Sequence, residues 1–395
     1  DQNTQLESWS MGKSLTATLV GVLVEQGHLD LDDPAPVDLW RRAADDPRSG
    51  ITISDLMRMS SGLRFTHASQ PAHEWGREIA DHSYIYAGGI DAFHFSITRP
   101  AAHPPNTVGR YRNCDPLTLG YIIRQTVEEQ GESYHAWPQK ALFDRIGIRK
   151  QVLEPDPYGN FLLTGYDYGT GRNWARLGLL YLWDGVWQGE RILPEDWADF
   201  VSTPAPAWTP PVYGGLFWVN SDGQWRVSKD AYYMAGAGEQ NVIIVPSHDL
   251  VVVRLGHSRG ARAGAAALNV ALGRLIGPDE VAQLARTAKS PDFVRFPKDA
   301  EAYAALGRIA ACRPDVAAVA ALIAGLAEAE HPVQRAQIAL LLGSVDAAGV
   351  DAALEAAVAD SAAFDKSAMS GFEESWAESF LGRIFDPYQL SLIHI

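Results

Sequence analysis

The hydrophobic pattern changes texture twice along the chain. Residues 11–26, MGKSLTATLVGVLVEQ, are apolar nearly all round, with Leu15, Leu19, Val22 and Leu23 on one face. That pattern predicts a buried helix closed by Gly27, which takes the left-handed turn past the end at no steric cost. Further helical patterns run over 54–59, 116–130 and 173–183; the second has Asp115 as its predicted N-cap and Pro116 as its first helical residue. From Tyr213 the texture becomes that of strands. LFWVNSDGQWRV, residues 216–227, predicts two strands around an Asp-Gly turn. NVIIVPSHDLVVVRLGH, residues 241–257, predicts two more around Pro246 to Asp249. At least three adjacent antiparallel strands follow.

Beyond about Gly277 the sequence turns Ala-rich and amphipathic, with helical runs expected near Asp299, Val316, Pro332 and Gly349. The first and third, and the second and fourth, are 33 residues apart, the period of a helical-hairpin repeat. Two copies without identity suit a HEAT-like module and a plain helical bundle equally well. The expected organisation is a domain over 1–281 and an all-α module over 282–389, through which a protein partner could dock. The last six residues, LSLIHI, resemble a translated sequencing adapter, so 390–395 are set apart from the fold.

Composition narrows the function. Hydrophobic residues make up 47% and charged residues 21% of 395, an ordinary globular balance. The net charge of −15 argues against nucleic acid and anionic membranes as partners. No apolar run reaches the length of a membrane span. Cys114 and Cys312 are too few for a disulfide scaffold or a Cys-built zinc site. The first residues have neither the basic nor the apolar segment of a signal peptide, and the sequence enters a motif without an initial Met. It reads as a gene fragment, so a cytoplasmic, periplasmic or secreted location stays open.

Three short elements can carry chemistry. In Ser10-Met-Gly-Lys13 the hydroxyl and the amine share one helix face, and a Lys among apolar residues has its charged form disfavoured, which suits it as a base. An N-capping Ser followed by a surface Lys is the plain alternative. A phosphate-binding loop is excluded, because Glu7 stands where its first Gly is required. Tyr111-Arg112-Asn113 follows a proline-rich stretch and precedes a helix. A phenol near an ammonium is favoured as phenolate and can shuttle protons, although a core Tyr beside a turn Asn fits the same three residues. Tyr158-Gly159-Asn160 competes, but no helix follows it in the right place. In Tyr233-Met234-Ala235-Gly236-Ala237-Gly238, small residues permit close approach to the backbone, as an oxyanion-hole amide or as tight sheet packing. The eleven histidines form no metal-binding pattern, and no serine has the surroundings of a hydrolase elbow. No metal and no cofactor are expected.

Taken in order, SMGKS, ITISDLMRMSSGL, YRN before a helix, NWARLGLLYLWDG and AGAGEQNVIIVP…LVVVRLGH resemble the serine β-lactamase and penicillin-binding-protein superfamily over about residues 5–275. The texture is most similar to its branch of 6-aminohexanoate-dimer hydrolases and carboxylesterases. The resemblance implies an α+β fold of the β-lactamase/transpeptidase type, an antiparallel sheet flanked by helices plus a helical subdomain. It also implies that elements preceding the nucleophile in the family are missing here, leaving a sheet edge open. It makes Ser10 the nucleophile, Lys13 and Tyr111 its base system, and Asn113 the amide that orients Lys13 and the substrate. The N–H groups of Ser10 and Ala237 become the oxyanion hole. Where β-lactamases and peptidases carry Lys-Thr-Gly, this chain has Met234-Ala235-Gly236, so a substrate carboxylate loses an anchor worth about 1.5–3 kcal/mol.

The expected activity is hydrolysis of small esters or amides through an acyl-enzyme, with a small-molecule substrate. A β-lactamase or D-amino-acid peptidase in the same fold is the nearest alternative, and a non-catalytic ligand sensor or scaffold is one of another class. Trp174, Trp187, Trp208, Trp218 and Trp225 are candidates to line an apolar pocket, with core packing expected for most of them.

Overall fold

The computed structural model describes residues 3–67, 70–87, 89–257, 263–275, 320 and 322–324. The chain divides into two compact units, one of residues 1–224 with 228–264, the other of 225–227 with 265–395. The all-α module expected over 282–389 and the tail at 390–395 lie outside the described residues, except 320 and 322–324, which are helical.

In chain order the elements are β1 (Leu6–Glu7), α1 (Gly12–Glu25), α2 (Ile53–Met57), α3 (Asp81–Ala87), α4 (Ala92–Ile97), α5 (Cys114–Glu129), β2 (Val152–Leu153), β3 (Asp167–Gly169), α6 (Gly171–Leu182), β4 (Val186–Trp187), β5 (Glu190–Arg191), α7 (Trp197–Ser202), β6 (Trp218–Val219), β7 (Tyr232–Gly236), β8 (Gln240–Val245), β9 (Leu250–Arg254) and α8 (Ala263–Leu275). The first unit is therefore α+β.

Every residue of α1 from Gly12 to Leu23 is buried, as its all-round apolarity requires. Leu15, Leu19, Val20, Val22 and Leu23 each gain about 1.5–3 kcal/mol from that burial. Its buried hydroxyls find acceptors: Ser14 donates to the Leu216 carbonyl at 2.8 Å, and Thr16 to the carbonyls of Gly12 and Leu163 at 3.1 Å each. The helix ends where Gly27 adopts φ +75°.

Two antiparallel sheets frame α1. In the larger, the order is β6-β7-β8-β9, with Met234 opposite Val242 and Val242 opposite Val253. β8, QNVIIV, is buried throughout, and α6 packs on β8 and β9. In the smaller, β3 lies between β1 and β2, pairing Leu6 with Gly169 and Val152 with Tyr168. This short sheet ties the segment before Ser10 to residues 167–169.

Two local expectations are corrected. α5 starts at Cys114, with Asn113 in the cap position, so Asp115 is not its cap. Asp115 is instead a fully buried carboxyl that accepts a hydrogen bond from the Ser61 hydroxyl at 2.7 Å. Residues 224–227 form no strand either. β6 pairs with β7, Val219 opposite Tyr232, because Asn220 closes a longer loop through its N–H to the Ala231 carbonyl and its side chain to the Ser228 carbonyl.

Candidate active site

Ser10 sits in a single 3-10 turn, Trp9–Met11, that runs directly into α1. Trp9 adopts φ +48°, a left-handed conformation that a bulky residue holds only when its surroundings impose it. Those surroundings are identifiable. The Trp9 ring packs against Tyr86 and Tyr166, with centroids at 6.2 and 5.9 Å. One residue earlier, the Ser8 N–H donates to the Asp167 carbonyl at 2.8 Å. Ser10 is left partly exposed at the start of a buried helix.

Lys13, one turn on, is 1% exposed. Its Nζ lies 2.9 Å from Ser10 Oγ and donates to the Thr164 carbonyl at 3.1 Å. Burial lowers its pKa from 10.5 to about 7, against the pull of the Asp167 carboxyl in the other direction. A large part of the amine is therefore uncharged near neutral pH. The same site holds two imidazoles neutral. His82 is pushed down to about 4 by burial and then by the Lys13 charge, and His67 is lowered for the same two reasons. Their rings are 4.4 Å apart.

Tyr111 lies under the amine, with its ring centre 4.9 Å from Lys13 Nζ. It is stacked on Trp218 at 5.5 Å and edge-on to Tyr213 at 5.9 Å. The phenolate expected from sequence is not favoured: burial raises the Tyr111 pKa above its usual value, only partly offset by a hydrogen bond with Ser10. Tyr111 is a neutral phenol beside Ser10. Tyr158, its competitor in the sequence, is exposed on the surface.

The block MRMSSGL holds the loop that carries Tyr111. Arg112, 2% exposed, donates to the carbonyls of Leu63 at 2.7 Å, Arg110 at 3.0 Å and Val108 at 3.2 Å. It also pairs with Asp115 at 3.9 Å, and Asp115 in turn holds Ser61. The Thr52–Asp55 capping box, with both bonds at 3.0 Å, fixes the start of α2 just before this block. Asn113 is fully buried. Its Nδ2 is 3.2 Å from both His82 Nδ1 and the Tyr86 hydroxyl, while its Oδ1 has no hydrogen-bond partner among the described residues. Tyr86 donates to the Thr164 carbonyl at 2.9 Å. Asn113 and Lys13 are thus joined through Tyr86 and Thr164.

β7 packs against the Trp9–Met11 turn. A side chain at position 236 would overlap the Ser8 carbonyl, so Gly236 is what lets the strand approach. Ala237 follows in the turn between β7 and β8. Ala235 is half-buried, and Met234 is fully buried in the hydrophobic core. Of the tryptophans, Trp174 and Trp225 are buried, whereas Trp218 covers Tyr111 and Trp208 stacks on Tyr213 at 4.7 Å.

Sequence reading singled out Ser10, Lys13, Tyr111 and Asn113, and the fold gathers them. It missed Trp9, His82, Tyr86, Thr164 and Asp167. These residues have no motif of their own. The only available signal was that the segment LTGYDYGTG directly precedes a recognised block. Among the described residues no group of three His, Cys, Asp or Glu side chains could hold a metal ion, and no helix is long and apolar enough to cross a membrane.

Comparison with solved structures shows the same fold in proteins of low identity. A Bacillus anthracis protein assigned as a 6-aminohexanoate-dimer hydrolase is 18% identical and superposes with a TM-score of 0.55, covering 69% of this chain and 74% of its own. A family VIII carboxylesterase is 13% identical at a TM-score of 0.53, covering 68% and 83%. The penicillin-binding protein homologue from Pyrococcus abyssi is 18% identical at 0.50, covering 73% and 71%. The Beta-lactamase family model matches residues 1–275, the stretch that contains the Ser10 turn, the Tyr111 loop and the β7–β9 sheet. The chain belongs to the Beta-lactamase family.

Proposed function

We propose that this protein is a metal-independent serine hydrolase that cleaves small esters or amides through an acyl-enzyme on Ser10. The observation that carries this reading is the 2.9 Å contact between a partly exposed serine hydroxyl and a buried lysine whose pKa is lowered to about 7. With the amine uncharged, the Ser10 proton passes to Lys13 Nζ as Oγ attacks the substrate carbonyl carbon. The N–H groups of Ser10 and Ala237 receive the charge that develops on the carbonyl oxygen. As the tetrahedral adduct collapses, the proton held by Lys13 goes to the leaving alcohol or amine, with the neutral Tyr111 hydroxyl as hydrogen-bond partner of the reacting oxygen. Water then attacks the ester, its proton again taken by Lys13, and Ser10 is restored.

The preference for esters and small amides rests on the third motif. Met234, buried in the core, and Ala235 offer no charge or hydroxyl to a substrate carboxylate; with Asn113 buried behind them, the half-buried backbone of Ala235 and Gly236 remains to contact a neutral substrate. A 6-aminohexanoate-dimer hydrolase and a carboxylesterase among the structures of the same fold agree with that preference.

The test is the intact mass of wild type and Ser10→Ala after brief exposure to p-nitrophenyl butyrate and, separately, to a penicillin. A butyryl adduct in wild type alone is expected. A penicillin adduct in its place would move the assignment to β-lactam or D-amino-acid peptidase chemistry. Turnover by Ser10→Ala within a few-fold of wild type would overturn the mechanism.

A further inference from the structure

The hydrogen bonds beside Lys13 end on a histidine that these acyl-transfer steps leave unused. Asn113, fully buried, has its Nδ2 3.2 Å from both the Tyr86 hydroxyl and His82 Nδ1. The Tyr86 hydroxyl lies 2.9 Å from the carbonyl oxygen and from Oγ1 of Thr164, and its one hydrogen goes there. Its oxygen is left to accept, so Asn113 turns its NH2 edge, not its carbonyl, towards Tyr86. The same NH2 meets His82, and a donor facing Nδ1 obliges that nitrogen to accept. A neutral imidazole that accepts at Nδ1 carries its proton on Nε2. His82 is neutral near pH 7, because burial and then the Lys13 charge push its pKa down to about 4. The ring is also held in place. The His82 backbone N–H donates to the Thr66 carbonyl at 3.0 Å, and the rings of His67 and Tyr86 lie at 4.4 and 5.8 Å. The residue is half-buried, and Nε2 is neither bonded among the described residues nor enclosed. Both Asn113 N–H groups are spent inside the protein, so the donor that this network presents outward is the Nε2–H of His82.

We propose that His82 is a substrate-binding residue whose Nε2–H donates to a neutral acceptor oxygen of the substrate other than the scissile carbonyl. This role rests on the acyl-transfer reading above, in which the scissile carbonyl oxygen is taken by the N–H groups of Ser10 and Ala237. The leaving atom is likewise taken, by Lys13 and Tyr111. His82 therefore reads a second oxygen, an ether, hydroxyl or carbonyl placed along the acyl chain or the alcohol. An uncharged imidazole gives a carboxylate no counter-charge, so the substrate class is an ester or amide with a neutral oxygen beyond the scissile bond. A plain hydrocarbon chain would leave the N–H without its partner once water is displaced, and that loss sets the preference.

The experiment compares kcat/KM for two pairs of esters that differ only by an oxygen in place of a methylene. p-Nitrophenyl methoxyacetate against p-nitrophenyl butyrate probes the acyl side, and 2-methoxyethyl butyrate against butyl butyrate probes the alcohol side. Each ratio is measured for the full chain, His82→Asn and His82→Gln, so the intrinsic reactivity of the esters cancels between proteins. Asparagine keeps an acceptor where Nδ1 stands but has no donor at the reach of Nε2, whereas glutamine keeps the donor. His82→Asn is expected to lower the ether-to-hydrocarbon ratio about three- to tenfold in one pair, the worth of one neutral hydrogen bond, with His82→Gln within about twofold of wild type. Ratios unmoved by His82→Asn in both pairs would overturn the role. So would an equal drop in both variants, which would make His82 a support for Asn113 alone, or loss of the fold in both. Ser10→Ala in the same series separates the two questions. Turnover by that variant removes the underlying reading, whereas dependence on Ser10 with unmoved ratios removes only the role of His82.

Discussion

The Lys13 amine joins Ser10 to Thr164: its Nζ is 2.9 Å from the serine hydroxyl and 3.1 Å from the threonine carbonyl. The carbonyl fixes one N–H direction, so the remaining positions on nitrogen are aimed where the serine proton lies. Tyr86 donates to the same carbonyl and approaches Asn113, which makes the lysine's orientation depend on two segments far apart in the chain. A lysine that merely neutralised charge would not need this degree of fixation.

Lys13→Met tests that arrangement. Methionine fills similar volume without an amine, so the fold is expected to persist. Acylation should fall by about 10²–10⁴-fold, the range for loss of a positioned base. Burst kinetics with p-nitrophenyl butyrate give the rate, and thermal melts establish that the variant is folded. A folded Lys13→Met that still acylates within a few-fold of wild type would remove lysine from the mechanism.

The acylation rate should rise with pH through about 7 and level off above it, because the proposed mechanism uses the free amine. The same titration appears in stability. In the unfolded chain Lys13 keeps its proton up to about 10.5, whereas in the folded chain it gives it up at about 7. Between those values the unfolded state binds more protons, so this group makes stability increase with pH across the window. Urea melts at several pH values should show that slope in wild type and a flatter one in Lys13→Met.

How much of this was legible in the sequence depends on how local each interaction is. Ser10 and Lys13 are three residues apart on one helical turn, and Gly27 marks its end, so spacing alone places them. Asp115 was misread as a cap because its actual partner, Ser61, is 54 positions away and no local rule reaches it. The strand expected over 224–227 failed for a related reason. Alternating apolar residues score as a strand, yet pairing goes to whichever strand the loop from Asn220 to Ala231 delivers. Thr164 meets Lys13 through its backbone carbonyl, which leaves no residue-type signature. The phenolate expected of Tyr111 is disfavoured because the burial that raises its phenol comes from residues far along the chain, which no local pattern shows.

Arg112→Met should damage the site without touching it. Methionine follows the arginine stem only as far as Nε, so the substitution removes the donors to Leu63, Arg110 and Val108 and leaves Asp115 without its cation. Breaking one side of a buried pair costs about 3–5 kcal/mol. The denaturant midpoint should drop accordingly, and at a temperature where the variant is still folded the loosened Tyr111 loop should lower acylation as well. An unchanged midpoint would mean that the loop does not depend on this pair.

Tyr111 and Trp218 separate the chemical part of that loop from its packing. In Tyr111→Phe the stacking on Trp218 at 5.5 Å and the edge contact with Tyr213 survive, and only the hydroxyl at Ser10 is lost. Its melting temperature should stay within a degree or two of wild type, and it should gain slightly from removal of a buried phenol. Acylation should nevertheless fall by about 10²-fold or more, since the proposed mechanism makes the hydroxyl the partner of the reacting oxygen. Trp218→Ala is the converse: it keeps the hydroxyl but uncovers one face of the ring that positions it. That variant should lose less than Tyr111→Phe in acylation rate and more in melting temperature. If the two variants instead lost activity in the reverse order, Tyr111 would be acting through its ring and the hydroxyl would have no place in the reaction.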